Sequence, residues 1–212
     1  MAISLEVTRI CRTDAEYPGS LKAYLGDNTP EQIFSVGDLG ILHQKMFALF
    51  CSIKCPGNLI LKTYDLAREL RDAGITVISG FHSPMEKECF SILLRGKQPF
   101  IWCLARRLTV KRLQKEYSKP LSDGRLLMLS PFGEKVRRAT KETAHFRNMF
   151  VAAMADTVFV VYAAPGGKTE AFCRKVQTRN KPLFMFESPD NSAPLVLGAR
   201  PYTGIFSIVK EE

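Results

Sequence analysis

From residue 46 onward, apolar runs alternate with segments whose apolar positions recur at helical spacing. Residues 46–53 form a nearly continuous apolar run, which is typical of a strand buried on both faces. Asn58 is a favourable N-cap, and the apolar positions between it and Gly74 recur every three or four residues, which predicts a helix. Further strands are predicted at residues 75–79, 99–104, 125–129, 157–162 and 182–186, and further helices at 84–95, 110–117, 140–155 and 167–178.

This alternation favours right-handed strand–helix–strand units and a parallel sheet with helices on both faces. The sequence therefore predicts an α/β fold, a Rossmann-like three-layer sandwich with a mostly parallel sheet. The segments 47–51, 75–78, 101–104 and 158–161 are expected to be adjacent parallel strands, because they are short, apolar and separated by helices.

The two ends of the chain do not show this alternation of strand and helix patterns. Residues 1–45 contain turn signals, one short helical segment and a strand near residues 32–36. We expect them to form an N-terminal segment packed on the main Rossmann-like domain of residues 46–212. Residues 187–212 are rich in turns, with one apolar stretch at 204–209, which favours an edge strand or an ordered tail.

Composition agrees with an ordinary globular domain. The 212 residues are 46% hydrophobic and 24% charged. The apolar runs are far shorter than the roughly 20 residues that span a bilayer, and no signal peptide is predicted, so we expect a cytoplasmic protein with no membrane partner. The six cysteines include no CxxC pair, which favours structural thiols over a metal site or a disulfide framework.

The net charge of +9 is concentrated in one part of the chain. Residues 101–181 contain 17 Lys or Arg against 6 Asp or Glu, whereas the remainder is slightly acidic. A local basic excess of this size indicates a polyanionic partner, and the alternative is a basic surface without a particular partner.

Ligands of parallel α/β sheets bind outside the carboxyl ends of the strands, so the residues after each strand are the candidate site. After the first predicted strand of the main domain, Ser52 and Lys54 precede a helix N-terminus that can offer N–H groups to an anion, although a plain turn would look similar. The segment after the second strand includes a close-approach glycine and an N-cap serine; its candidate residues are Ser79, Gly80, Phe81 and Ser83.

After the strand at residues 157–162, two glycines enter a helix whose first turn carries a lysine and a threonine. The backbone N–H groups of Gly166 and Gly167, with Lys168 and Thr169, could hold a phosphate, although the GxxxxGK[ST] spacing of a Walker A loop is absent. On the preceding predicted helix, Arg147 and Asn148 are placed to reach this loop.

Catalytic and metal motifs are missing from the sequence. The three histidines lack metal-ligand spacing, and no HExxH, GxSxG or paired-carboxylate pattern occurs. We therefore predict no metal, no cofactor and no catalytic residues, although an enzymatic activity stays open.

Taken in order, these segments resemble the DNA-processing protein A family (DprA/Smf). Tyr17-Pro18 with Leu21, and Val36-Gly37-Asp38-Leu39, resemble the family's "YP..L" and "GDL" patterns. The most specific match is Phe146-Arg147-Asn148, continued by Ala152 and Ala155-Asp156, which resembles "F..RN..I.AGLSD". The resemblance implies a Rossmann-like domain that binds single-stranded DNA, forms a dimer and assists the loading of a recombinase.

The sequence also departs from that family. Ser52 stands where a glycine is usual, Lys54 and Ser83 replace arginines, and Glu86 replaces an aspartate. The loop Pro165–Glu170 is closer to the "PGGxGTxxE" loop of the related lysine-decarboxylase-like (LOG) group, which the resemblance connects with nucleoside monophosphates.

These observations leave three functions open. The first is a DprA-like protein that binds single-stranded nucleic acid in DNA processing and recombination, without catalysis. The second is a nucleotide-binding enzyme, a LOG-like phosphoribohydrolase with Arg147 and Glu170 at its site. The third is a nucleotide-sensing domain of a signalling or defence pathway.

Overall fold

The computed structural model describes residues 6–110, 113–192, 195 and 198–205. The strands are β1 (Thr8–Cys11), β2 (Gln32–Gly37), β3 (Met46–Phe50), β4 (Thr76–Ser79), β5 (Phe100–Cys103), β6 (Leu126–Ser130), β7 (Thr157–Val160), β8 (Leu183–Met185) and β9 (Arg200–Pro201). The α-helices are α1 (Ser20–Leu25), α2 (Gly57–Asp72), α3 (Pro84–Leu94), α4 (Lys115–Ser122), α5 (Lys141–Met154) and α6 (Lys168–Gln177).

Within the described ranges these strands form one sheet in the order β1-β2-β6-β5-β4-β3-β7-β8-β9. The run from β6 to β9 is parallel, and β2 joins it antiparallel to β6. The predicted neighbours β5, β4, β3 and β7 lie side by side and parallel, so both that prediction and the predicted fold class are confirmed.

Two apolar clusters cover the sheet, one on each face. Helices α1, α5 and α6 contribute to one cluster, through residues such as Leu21, Phe150 and Phe172. Helices α2, α3 and α4 contribute to the other, through residues such as Leu66 and Phe90. The sheet between them makes the molecule a three-layer sandwich.

The connection after β6 reverses the direction in which strands are added. From β3 to β6 each new strand lies on one side of its predecessor, whereas β7 returns to the other side of β3. Such a switch point separates the loops that follow two adjacent strands, and ligands of open α/β sheets bind in the crevice that results. The carboxyl end of β3 is therefore the place to look for a site.

The ends of the chain extend this sheet. Strand β2 pairs with both β1 and β6, so residues before 46 share the sheet of the remainder. An edge strand was one of the two structures expected for residues 187–212. After β8, the two-residue strand β9 pairs parallel with it. Of the apolar stretch at 204–209, residues 206–209 lie outside the described part of the chain.

One predicted helix is displaced. Residues 110–117 are predicted to be helical, but α4 begins only at Lys115 and continues to Ser122. Tyr117 and Leu121, one helical turn apart, pack on the sheet side, with Leu121 fully buried and Tyr117 against Trp102 and Phe90. The packing of these two residues places the helix later in the chain than the stretch 110–117 for which it was predicted.

Candidate nucleic-acid interface

A cleft of about 700 Å³ lies at the carboxyl edge of β3, β4 and β5, below the first turns of α5 and α6. Its location is the switch point of the sheet. Among its lining residues are Phe50, Cys51, Ile53, Gly80, Phe81, His82, Ser83, Glu86, Trp102, Arg106, Thr140, Lys141, His145, Arg147, Asn148, Lys168 and Thr169.

Arg147 on α5 supplies a buried cation to this cleft. Arg147 is only 4% exposed. Its Nη1 donates to the carbonyl of Cys103 at 3.1 Å, and its Nε donates to the side-chain oxygen of Asn148 at 2.8 Å. Within the described residues it forms no salt bridge. Burial lowers the pKa of the guanidinium, and the charge of Glu86 opposes that shift. A buried cation without an ion-pair partner favours an incoming anion, because desolvation of an unpaired charge is costly.

Gly80 provides the space that the guanidinium occupies. A Cβ atom built on Gly80 would overlap Nη1 and Cζ of Arg147 and lie 2.5 Å from Nη2. The carbonyl of Gly80 accepts a hydrogen bond from the indole nitrogen of Trp102 at 3.2 Å. The absence of a side chain at Gly80 therefore allows Arg147 to lie against the backbone after β4.

The next residue holds an unusual backbone conformation. Phe81 has φ of +46°, in the left-handed region that non-glycine residues seldom adopt. Its N–H donates to the hydroxyl of Ser79 at 3.2 Å, and its ring packs on Phe90 with centroids 4.6 Å apart. These contacts hold a strained residue at the edge of the cleft, and such strain is concentrated at functional sites.

Glu86 ties the loops after β3 and β4 together. Its side chain is buried, and its two carboxylate oxygens accept from the N–H of Cys51 at 3.0 Å and from the N–H of His82 at 2.8 Å. Its own N–H lies 3.3 Å from the Ser83 hydroxyl, which caps α3. Two strand-end N–H groups are thus bonded to an internal carboxylate.

The loop between β7 and α6 is organised in a similar way. The N–H of Gly166 donates to Oε2 of Glu170 at 2.6 Å, and the N–H of Gly167 donates to the carbonyl of Ala164 at 2.9 Å. Gly166 has φ of +67°, a conformation that suits glycine. The Ser52 hydroxyl accepts from the N–H of Ala164 at 3.0 Å, which joins this loop to the end of β3.

A cluster of positive charge lies at the rim between α5 and α6. Lys175 Nζ lies 3.0 Å from His145 Nε2, a geometry that suits a neutral imidazole accepting from the ammonium. Partial burial, Lys175 and Lys168 together lower the pKa of His145. The rim therefore repels a further proton and attracts anions.

The structure places the predicted site residues in two groups. Seven of them line the cleft: Gly80, Phe81, Ser83, Arg147, Asn148, Lys168 and Thr169. The others are not among its lining residues: Ser79 is buried and donates to the carbonyl of Leu49, Lys54 is exposed, and Ser52, Gly166 and Gly167 shape the adjoining loops.

Several lining residues escaped the sequence-based site prediction. Glu86 had a visible signal, because it is the third residue of a helix that follows a glycine-containing strand end. Trp102 lies near the end of β5 and Arg106 follows that strand, whose end carries no glycine or capping pattern. Arg106 was indicated only as part of the basic stretch 101–181. His145 and Lys141 lie on α5 two and six residues before Arg147, spacings that do not place them on the same helical face as Arg147, so the local pattern gave no signal for them.

The described residues contain neither a metal-ligand cluster nor a membrane-spanning helix. No group of three or more His, Cys, Asp or Glu side chains there is arranged to hold a metal ion. Nor does that part of the chain contain a helix long and apolar enough to cross a membrane.

Comparison with known proteins identifies the family. The sequence model of the DNA recombination-mediator protein A family matches residues 8–193. The chain belongs to this family. The resemblance seen in the sequence is therefore confirmed, whereas no protein with curated annotation matches the chain significantly.

Solved structures agree with the family fold. DNA processing protein A from Helicobacter pylori, reported for its single-stranded DNA binding mode, is 21% identical with a TM-score of 0.76, covering 98% of this chain and 96% of that one. The Streptococcus pneumoniae protein is 17% identical with a TM-score of 0.80, covering 99% and 75%. A molybdenum cofactor carrier protein from Chlamydomonas reinhardtii is more distant, at 11% identity and a TM-score of 0.52, covering 78% and 94%.

Proposed function

We propose that this member of the DNA recombination-mediator protein A family binds single-stranded DNA in the cleft at the end of β3, as a non-catalytic step of DNA processing and recombination. The observation that carries the proposal is Arg147, a buried guanidinium at the cleft that forms no salt bridge with the described residues. A phosphodiester placed there would supply an ion-pair partner, which the described residues do not provide at salt-bridge distance. The Helicobacter pylori relative, which binds single-stranded DNA, supports the choice of ligand.

The charge around the cleft suits a strand rather than a small ligand. Arg106, Lys141 and Lys168 line the cleft, and the exposed Arg137 and Arg138 lie in the loop between β6 and α5, which leads to its rim. A row of cations along a groove binds the backbone of a nucleic acid with little sequence preference. Trp102 adds an aromatic surface at the same edge.

The nucleotide-cleaving alternative is less well supported. It assigns a catalytic role to Glu170, but the carboxylate of Glu170 is bonded to the N–H of Gly166 and to Arg174 and is not part of the cleft lining. We propose on this ground that the site residues bind rather than react.

The family also suggests a setting for this activity. We propose a cytoplasmic homodimer that cooperates with a recombinase, in which residues 46–212 form the DNA-binding domain and residues 1–45 pack on it. Light scattering of the purified chain tests the dimer, and co-purification with the recombinase of the same organism tests the partner.

The decisive experiment measures the affinity for a labelled 20-nucleotide thymidine strand, (dT)20, at several salt concentrations. Affinity of the wild type should fall with salt, with a slope of about −0.7 per phosphate neutralised. Arg147→Ala should weaken binding roughly 10- to 100-fold, because a charge-assisted hydrogen bond contributes about 1.5–3 kcal/mol. Arg68→Ala removes the same charge from the exposed face of α2, where Arg68 pairs with Asp65, and should have little effect.

A second variant tests the basic approach to the cleft. Replacing Arg106, Arg107 and Arg112 together by Ala should weaken binding to all sequences and flatten the salt slope. Arg106 lines the cleft, Arg107 is paired with Glu134, and Arg112 lies outside the described residues, so we expect Arg106 to account for most of the effect. If the wild type fails to bind (dT)20 at low salt and binds a mononucleotide tightly, the proposal is wrong.

A further inference from the structure

Two strand-end loops of this protein have their N–H donors bonded to carboxylates from the helices that follow them. Glu86 is the third residue of α3, and Glu170 is the third residue of α6. Both side chains are almost fully buried, with residue exposures of 6% and 7%. Each reaches back from the first turn of its helix to the loop before it.

Glu170 makes two short polar contacts in this arrangement. Its Oε2 accepts from the N–H of Gly166 and its Oε1 from Nη2 of Arg174, both at 2.6 Å. Arg174 and the Gly166 N–H lower the pKa of Glu170, so the side chain is a carboxylate at neutral pH. The neighbouring N–H of Gly167 is bonded to the carbonyl of Ala164.

A terminal phosphate would need the donors that these contacts occupy. Glycine loops at helix N-termini hold phosphate through their free N–H groups, and a phosphate monoester carries nearly two negative charges at neutral pH. At this loop the carboxylate already accepts from the Gly166 N–H and would repel a second anion. An internal phosphodiester carries one charge and can be bound by Arg147 and the basic rim without entering the loop.

We propose that Glu170 is a specificity-determining residue, which closes the β7–α6 loop to terminal phosphate groups so that the cleft selects internal phosphodiesters over mononucleotides. This inference rests on the proposed single-strand binding. It extends that function by assigning the choice between the two phosphate classes to a residue outside the cleft lining.

The test compares three probes by calorimetry: thymidine 5′-monophosphate, the dinucleotide thymidylyl-thymidine and (dT)20. The wild type should bind the dinucleotide at least as tightly as the monophosphate, although the monophosphate carries more charge. Glu170→Ala frees the Gly166 N–H and the Arg174 guanidinium. Its affinity for the monophosphate should therefore rise roughly tenfold or more, the effect of about 1.4 kcal/mol of new binding free energy.

Glu142 provides a matched control. It is an exposed acid in the first turn of α5, close enough to Lys168 for electrostatic interaction, and it has no part in closing the loop. Glu142→Ala changes the net charge equally and should leave the monophosphate affinity within about threefold of wild type, the scale of a screened surface charge.

Glu170→Gln keeps the shape of the side chain and removes only its charge. Its monophosphate affinity should lie between those of wild type and Glu170→Ala, and Glu142→Gln is its control. Circular dichroism establishes whether each variant is folded. If Glu170→Ala is not folded, the comparison of Glu170→Gln with Glu142→Gln decides the question.

Equal monophosphate affinities of the Glu170 variants and their Glu142 controls would overturn the inference, as would a wild type that prefers the monophosphate to the dinucleotide. Failure of the wild type to bind (dT)20 would instead overturn the proposed function.

Discussion

Replacing Gly80 by Ala should displace Arg147 without removing its charge. The added methyl carbon would overlap the guanidinium, so the side chain of Arg147 must leave its position against the backbone. The backbone of Gly80 is not in the left-handed region, so the substitution introduces this steric conflict and no conformational strain. The substitution therefore tests whether the position of the guanidinium matters, because the charge of Arg147 is still present in the variant.

The magnitude follows from the bond that is lost. Displacement breaks the hydrogen bond from Arg147 to the carbonyl of Cys103, and a bond to a charged group contributes about 1.5–3 kcal/mol. We expect the free energy of unfolding to fall by about that amount. The affinity for (dT)20 should fall roughly tenfold, less than for Arg147→Ala, because the displaced guanidinium keeps its charge.

A double-mutant cycle gives the most direct assay. In the Arg147→Ala background the space beside Gly80 is empty, so Gly80→Ala should have almost no further effect on affinity or on urea unfolding. Gly57→Ala is the control, because a Cβ at Gly57, the first residue of α2, meets no atom within 4 Å. Additive effects of the two cleft substitutions would refute the argument that Gly80 acts through Arg147.

Three other residues lead to separate predictions. Ser52→Gly should lower the free energy of unfolding by about 0.5–1.5 kcal/mol in chemical denaturation, because the partly buried N–H of Ala164 loses its acceptor; no change would mean that this bond adds nothing. Lys175→Met should raise the pKa of His145 in an NMR titration, since burial and then Lys175 hold that pKa below its ordinary value. The unfolded state binds the proton more readily, so the His145 contribution to stability is lost as the pH falls below about 6.5, and the variant should lose less; an unshifted pKa would contradict this. Tyr24→Phe should leave the melting temperature unchanged or raise it, because the buried Tyr24 hydroxyl, whose pKa burial raises to about 12, has no hydrogen-bond partner in the described residues; a clear loss of stability would reveal one.

Much of the fold was predictable from local sequence. Strands such as β3 and β7 are short runs of apolar residues between helices, and a strand buried on both faces requires that composition. The cap of α3 was also visible, since Ser83 accepts the N–H bond expected of an N-cap residue. The prediction that Asn58 caps α2 was wrong, because the helix begins at Gly57 after Pro56 and has no side-chain cap. Local pattern therefore determined the order of the elements and, through the rules for parallel strands, the architecture.

The candidate site was predictable only in part. Strand ends were the correct place to search, because topology brings the carboxyl ends of parallel strands to one edge, and Arg147 and Gly80 do lie there. The roles of these residues were not predictable, because the guanidinium reaches Gly80 from a helix that is distant in the chain. Likewise the glycines at 166 and 167 suggested free donors, and only the folded loop places Glu170 against one of them.

What the sequence by itself determined is the alternation of strands and helices from residue 46 onward, the family and the positive charge of the C-terminal half, because each depends on neighbouring residues or on composition alone. Strand β1 was not predicted. Only the tertiary structure decided where α4 begins, which side of the sheet β2 joins, and which charged groups are paired within the protein and which are available to a ligand. The physical reason is that burial and hydrogen bonding depend on segments far apart in the chain. Arg147 illustrates this, since its position on a helix follows from local sequence, while the placement of its guanidinium at the cleft depends on Gly80 and Cys103.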